Sequence, residues 1–198
     1  MTQKDFFEIY KYPHSFSRLD KDPQGWFPRW NTELLLPKVK NKKIVVELGS
    51  WLGRSTREWL SNSDAQVICI DTWGGSKEHI GNKKLTTLYD TFLSNQEEWK
   101  DRVFPVRMNT VKGMAEVFKY GLEPDFIYID ASHQYEDVYT DVSLAYNYFP
   151  NAFICGDDWN WHNRTQGRRA TVQEAVKEFC KNNNLKYINN RWAWYLEK

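Results

Sequence analysis

Residues 43–56, Lys-Ile-Val-Val-Glu-Leu-Gly-Ser-Trp-Leu-Gly-Arg-Ser-Thr, constrain the fold more than any other stretch of the chain. An apolar, β-branched run leads into Glu47, then a turn holding Gly49 and Gly53, then a polar helix start at Arg54, Ser55 and Thr56. Strand, glycine turn and helix in that order form the first unit of a nucleotide-binding α/β sheet. In the dinucleotide version of this turn the second glycine lets the backbone approach a pyrophosphate. Here Trp51 takes that place, and a pyrophosphate fits badly. A carboxylate at Glu47 also repels phosphate and suits a cationic ligand. The plain alternative is a turn that only joins a strand to a helix.

The rest of the chain repeats the alternation. Apolar runs at 66–70, 103–107, 125–130 and 152–155 predict four more strands. Helices are predicted at 55–61, 84–100 and 114–120, then one carrying Val138, Val142 and Ala145, and one carrying Val172, Ala175, Val176 and Phe179. A short helix from Thr32 through Leu34, Leu35 and Leu36 is expected to end near Pro37. Two closing runs, 186–188 and 192–196, flank Asn189-Asn190-Arg191 and predict an antiparallel hairpin. The sum is a three-layer, Rossmann-like α/β sandwich, its seven-stranded sheet mostly parallel with one reversed strand. Residues 33–198 form this domain. Residues 1–32 hold Pro13, Pro23 and Pro28 without a clean period, and read as short turns lying over it, an arm or a lid.

At 198 residues the chain suits one domain of ordinary size. A net charge of +1 provides no field to recruit nucleic acid or an anionic membrane. The charged opening is unlike a signal peptide, and no apolar run approaches a membrane span, so a soluble, cytoplasmic protein is expected. Cys69, Cys155 and Cys180 lack metal-ligand spacing and read as reduced core thiols. Most of the 10 Trp, 11 Tyr and 11 Phe belong to a core. Trp26, Trp30, Trp159 and Trp161, the last beside His162, fall in polar surroundings where an aromatic face can serve a ligand.

Asp71 ends the second strand about twenty residues beyond the glycine turn, where a carboxylate accepts hydrogen bonds from ribose hydroxyls; the alternative is a turn cap. A ligand that is nucleoside-like, phosphate-free and cationic is S-adenosylmethionine. The fourth and fifth strands end in Asp130 and in the pair Asp157 and Asp158. Neighbouring strands lie about 4.8 Å apart, so these acids converge. A divalent cation relieves their repulsion, and an all-oxygen set favours Mg²⁺, Mn²⁺ or Ca²⁺ over Zn²⁺. Otherwise one acid caps a helix and the others face water. His133 stands three residues beyond Asp130, either structural or part of this cluster.

The motifs Val-Glu-Leu-Gly-Ser-Trp-Leu-Gly-Arg-Ser-Thr, Ile-Asp-Thr-Trp-Gly-Gly, Ile-Asp-Ala-Ser-His-Gln-Tyr-Glu-Asp-Val, Gly-Asp-Asp-Trp and Val-Gln-Glu-Ala-Val-Lys-Glu-Phe resemble those of class I S-adenosylmethionine-dependent methyltransferases. Within that class they are similar to the small branch that methylates sugars, such as the macrolide-sugar O-methyltransferases, over about residues 40–198. The resemblance implies that Glu47, Gly49 and Ser50 line the methionine part of the cofactor, within a turn completed by Trp51, Gly53 and Ser55. Asp71, with Thr72, would take the ribose; Trp73, Asn109 and Thr110 would border the adenine. Arg54 or Arg164 would meet the cofactor carboxylate. Asp130, Asp157 and Asp158 match the metal-binding acids, with Mg²⁺ or Mn²⁺ as the ion, and His133, next to Asp130, matches the general base. Asp157 departs from the pattern, since that position can be Glu. The expected activity is metal-assisted O-methylation of a sugar or glycan hydroxyl, by a whole enzyme or by one module of a larger glycan-building polypeptide. Alternatives are methylation of a phenolic or catechol hydroxyl, and a non-catalytic cofactor-binding domain. RNA is disfavoured by the low charge.

Overall fold

The computed structural model describes residues 1–75, 83–161 and 171–198. After α1 (Gln3–Ile9) and α2 (Arg29–Val39), strands and helices alternate: β1 (Ile44–Leu48), α3 (Arg54–Asn62), β2 (Gln66–Asp71), α4 (Leu88–Gln96), β3 (Val103–Arg107), α5 (Thr110–Lys119), β4 (Phe126–Ile129), α6 (Tyr135–Tyr148), β5 (Phe153–Gly156) and α7 (Thr171–Asn182). The chain closes with β6 (Lys186–Asn190) and β7 (Ala193–Glu197). The sheet runs β3-β2-β1-β4-β5-β7-β6, with β7 antiparallel to both neighbours. This is the expected seven-stranded sandwich with one reversed strand.

Strand order reverses between β1 and β4, so the crevice beyond their carboxyl ends is where such sheets place ligands. Alternate residues of each strand feed different cores. Val46, Leu48, Ile127 and Ile129 join the layer of α5, α6 and α7, while Val45, Phe126 and Tyr128 join that of α2, α3 and α4. Gly113 on α5 lets that helix close on β2: a Cβ there would lie 2.3 Å from Ile70 Cγ2.

Helix boundaries differ from the sequence reading in three places, in α2, in residues 84–100 and in α5, which begins at Thr110 rather than near Met114 because Asn109 caps it there. α2 begins at Arg29 and passes through Pro37, because Leu35 and Val39 bury on either side of it and a proline this near the helix end forfeits only one backbone bond. Residues 84–100 break into a 3₁₀ turn, α4 and a second 3₁₀ turn, Glu97–Trp99. The predicted glycine-rich loop at 72–81 is described only as far as residue 75.

Residues 1–32 are packed against both faces. Phe6 is buried in the α5 layer, and Tyr10 donates to Glu116 at 3.2 Å. Tyr12 lies in the opposite layer, its hydroxyl donating to the Leu93 carbonyl, so the chain rounds the β3 edge of the sheet between them. It then follows the end of α4, with the Leu19 and Asp22 amides donating to Ser94 and Asn95, both at 2.9 Å. Because α2 starts at Arg29, this segment and the sheet domain share a helix. All three cysteines are buried free thiols, and no described helix is long and apolar enough to cross a membrane.

Asp141 is buried on α6 and accepts a hydrogen bond from Thr110. Burial, with a smaller push from Asp137, raises its carboxyl to about 7. A raised carboxyl stabilises the fold fully below its unfolded value near 3.9, and that contribution is lost as pH rises through about 7. Asp141→Asn is therefore expected to leave stability nearly unchanged at pH 4.5 and to raise it at pH 8 by on the order of 2–4 kcal/mol. Urea melts at the two pH values check this; equal gains at both would contradict it.

Candidate active site

β1 ends in a turn whose backbone is held in unusual conformations. Gly49 has φ 86°, Gly53 φ 75°, and between them Trp51 keeps the left-handed region at φ 48°, where a side chain costs about 1–2 kcal/mol. Asp71 offsets this strain: one carboxylate oxygen accepts from the Ser50 and Trp51 amides, each at 2.9 Å, and the other accepts from the Trp73 amide at 2.7 Å. Asp71 is thus a clamp on the turn, the alternative weighed for it, and its half-exposed carboxylate retains acceptor capacity for a ribose hydroxyl.

Glu47 does not face the ligand crevice. Strand alternation points it into the α3 layer, where it is fully buried and accepts from the Ser50 hydroxyl at 2.6 Å, the Thr56 hydroxyl and the Trp59 indole at 3.0 Å. Burial raises its carboxyl while these donors pull it back down. Ser50 and Ser55 are buried in the same arrangement. Trp73 is also buried, against Tyr89 and Phe92, with its indole donating to the Trp51 carbonyl at 3.0 Å. Thr72 is exposed and caps the Gly74 amide. Asn109 caps α5, accepting from the Lys112 amide at 2.9 Å, and Thr110 follows it. Arg54 is paired with Glu58 at 2.9 Å; Arg164 and His162 lie outside the described residues.

The turn meets the acid cluster directly. A Cβ on Gly49 would stand 2.2 Å from the Asp130 carbonyl oxygen, so only glycine permits this contact. Asp130, His133 and Asp158 each bring a ligating atom within 4.8 Å of the others. His133 Nε2 lies 2.6 Å from Asp158 Oδ2, and its ring stacks on Trp161 at 4.2 Å. Asp158 reaches the histidine from a left-handed backbone, φ 60°. Burial and the charges of Asp157 and Asp158 push the Asp130 carboxyl well above the ordinary range.

Asp157 is turned inward instead. It accepts from Asn31 Nδ2 at 2.7 Å and the Tyr128 hydroxyl at 3.3 Å, while its other oxygen takes the Asp158 amide at 2.8 Å. Burial, with the Asp158 charge beside it, raises it to about 6. Among the described residues the structure therefore groups Asp130 and Asp158 with His133 and sets Asp157 behind them. Of the four candidate tryptophans, Trp26 is 68% exposed and Trp161 borders His133. Trp159 is 3% exposed against Tyr187, so it is a core residue. One face of Trp30 is covered by the Arg191 guanidinium. Sequence reasoning passed over Tyr128 and Asn31. Tyr128 had a signal, a phenol inside an apolar strand two residues before Asp130; Asn31 had none.

A seven-stranded sheet of this order, with a glycine turn after β1 and acids after β2, β4 and β5, is the Rossmann-like methyltransferase fold. Residues 46–159 match the family described as "Methyltransferase domain", and the chain belongs to that family. It is an S-adenosylmethionine-dependent methyltransferase. Among solved structures it is similar to an O-methyltransferase from Bacillus cereus in complex with SAH (16% identity, 98% of this chain and 90% of that one, TM-score 0.61). It is also similar to a candidate caffeoyl-CoA O-methyltransferase from Staphylococcus aureus (16% identity, 98% and 90%, TM-score 0.57). A third likeness is to the Aeropyrum pernix fibrillarin with natively bound S-adenosyl-L-methionine (13% identity, 80% and 67%, TM-score 0.53). At these identities the likeness is one of fold. No curated protein matches the sequence.

Proposed function

We propose that the chain transfers the methyl group of S-adenosylmethionine to a hydroxyl of a sugar or glycan. The observation that carries this is the His133–Asp158 pair at 2.6 Å, standing with Asp130 beside the Gly49 turn. An alcohol is a poor nucleophile while protonated, whereas the sulfonium methyl arrives already activated by the cofactor. His133 accepts the hydroxyl proton as the oxygen attacks the methyl carbon in line; the C–O bond forms, the S–CH₃ bond breaks, and S-adenosylhomocysteine leaves. Asp158 holds the imidazole in orientation and stabilises the imidazolium that results, as a carboxylate partner does in other histidine bases.

The residues also suit a divalent cation. Two carboxylates and an imidazole converge, a third acid lies behind them, and among the described residues the basic group that reaches them is His133. Asp130 and Asp158 would hold Mg²⁺ or Mn²⁺, which when bound draws acceptor hydroxyls together and lowers their pKa. Trp161 beside His133 and the exposed Trp26 offer aromatic faces to a sugar ring. The stacked Trp161 supports a second reading as well, since it would equally receive a phenolic ring, the kind of acceptor that a caffeoyl-CoA O-methyltransferase takes.

A labelled methyl-transfer screen separates these readings. Glycans and simple sugars are offered against catechols, each with Mg²⁺, with Mn²⁺ and with EDTA. The proposal expects label on the sugars, loss of transfer with EDTA and recovery on adding either ion. Label confined to catechols selects the second reading, and full activity after exhaustive EDTA treatment removes the metal from the mechanism.

A further inference from the structure

Asn31 is a buried amide of which the core uses only the donor half. It is fully buried on α2, and its Oδ1 has no hydrogen-bond partner among the described residues. A buried unpaired carbonyl oxygen costs free energy that a leucine of similar size would not incur. Its Nδ2 donates to Asp157 Oδ2 at 2.7 Å and lies 3.2 Å from the Tyr128 hydroxyl. The opposite amide orientation would set an oxygen against the carboxylate, so Asp157 dictates how Asn31 lies.

The contacts continue outward as a chain. With Oδ2 of Asp157 occupied by Asn31 and Tyr128, Oδ1 is left to accept the Asp158 amide at 2.8 Å. That bond fixes the peptide plane that enters Asp158, whose left-handed backbone, φ 60°, then carries its carboxylate to His133. The Trp194 indole fixes the same segment by donating to the Asp157 carbonyl at 2.9 Å. The Tyr128 hydroxyl also stands 3.4 Å from Asp130 Oδ2, so one phenol touches the acids of both strand ends.

We propose that Asn31 is a positioning residue of the reaction centre: its amide, delivered by the helix that ends the N-terminal segment, locks Asp157 and thereby sets the Asp158 turn that orients His133. Asn31 is then part of the site, and the strand ends of the sheet alone do not complete it. This rests on the reading of Asp130, His133 and Asp158 as the reaction centre.

The test compares the full chain with Asn31→Leu, Asn31→Ala, Tyr128→Phe, the Asn31→Leu/Tyr128→Phe double variant and Phe27→Ala. Phe27 packs on Trp59 and Tyr128 from the same segment and has no hydrogen-bonding side chain, so it reports packing alone. Hydrogen exchange at the Asp158 amide, Mn²⁺ binding followed by electron paramagnetic resonance, and thermal melts are measured for each. Asn31→Leu is expected to melt within a few degrees of the unaltered chain, to exchange the Asp158 amide at least tenfold faster and to bind Mn²⁺ at least tenfold more weakly. The double variant should do little more than Asn31→Leu, because both side chains act through Asp157. Phe27→Ala should lower the melting temperature and leave Asp158 exchange unchanged once corrected for global stability. Unchanged exchange in Asn31→Leu overturns the proposal, as does unfolding of both Asn31 variants, which would assign the residue to the fold alone. If the unaltered chain binds no Mn²⁺, the metal reading of the site fails, and Asp158 exchange alone decides on Asn31.

Discussion

Replacing His133 by alanine lowers methyl transfer about 100- to 10,000-fold, the range a positioned general base contributes, while S-adenosylhomocysteine binds within a few-fold of the unaltered chain. The two effects separate because His133 lies with Asp130 and Asp158 at the strand ends, whereas the turn of Gly49 and Gly53 is clamped independently by Asp71. Asp158→Asn should lower transfer as well and also weaken Mn²⁺ binding, since an amide neither balances the imidazolium charge nor replaces a carboxylate ligand. Calorimetric titration with S-adenosylhomocysteine and single-turnover transfer to an accepted hydroxyl give the two numbers. Near-full turnover in His133→Ala with intact cofactor binding would show that the proton goes elsewhere.

Glu47→Gln destabilises the fold by roughly 2–5 kcal/mol, because one or two buried donors lose their acceptor at about 1–3 kcal/mol each. The carboxylate receives Ser50, Thr56 and Trp59 together, and a glutamine amide turns an N–H₂ toward donors already facing inward. For a chain of this size the loss is about 5–15 °C in melting temperature. Weaker cofactor binding should accompany it, since Ser50 carries one of the two amides that grip Asp71. A melting temperature within about 2 °C of the unaltered chain would mean that Glu47 is not the strut of this turn.

The parallel strands were legible because their interiors are buried, so β-branched runs such as that in Gln66–Asp71 announce themselves. Helix ends were less so: the sequence places a stop at Pro37, but burial of Leu35 and Val39 carries α2 past it. Alternation along β1 already contained the inward orientation of Glu47, since Val45 and Glu47 share a face. Its residue type, an acid before a glycine turn, pointed to the ligand instead. Trp73 and Trp159 lie in polar sequence yet fill the core, because φ 48° at Trp73 and the hairpin beside Trp159 turn them inward.

By itself the sequence determined the layer order, the glycine turn and the convergence of Asp130, His133, Asp157 and Asp158, because strand periodicity and chain order fix which residues stand at carboxyl ends. Only the tertiary structure decided how those acids divide. Asp157 and Asp158 are neighbours in sequence with the same side chain, and their roles part through an amide on a helix 126 residues away in the chain. Asn31 draws one carboxylate into the interior, and the left-handed backbone at Asp158 presents the other to His133. Neither the long-range hydrogen bond nor the positive φ leaves a periodic or compositional mark, so both arise from packing.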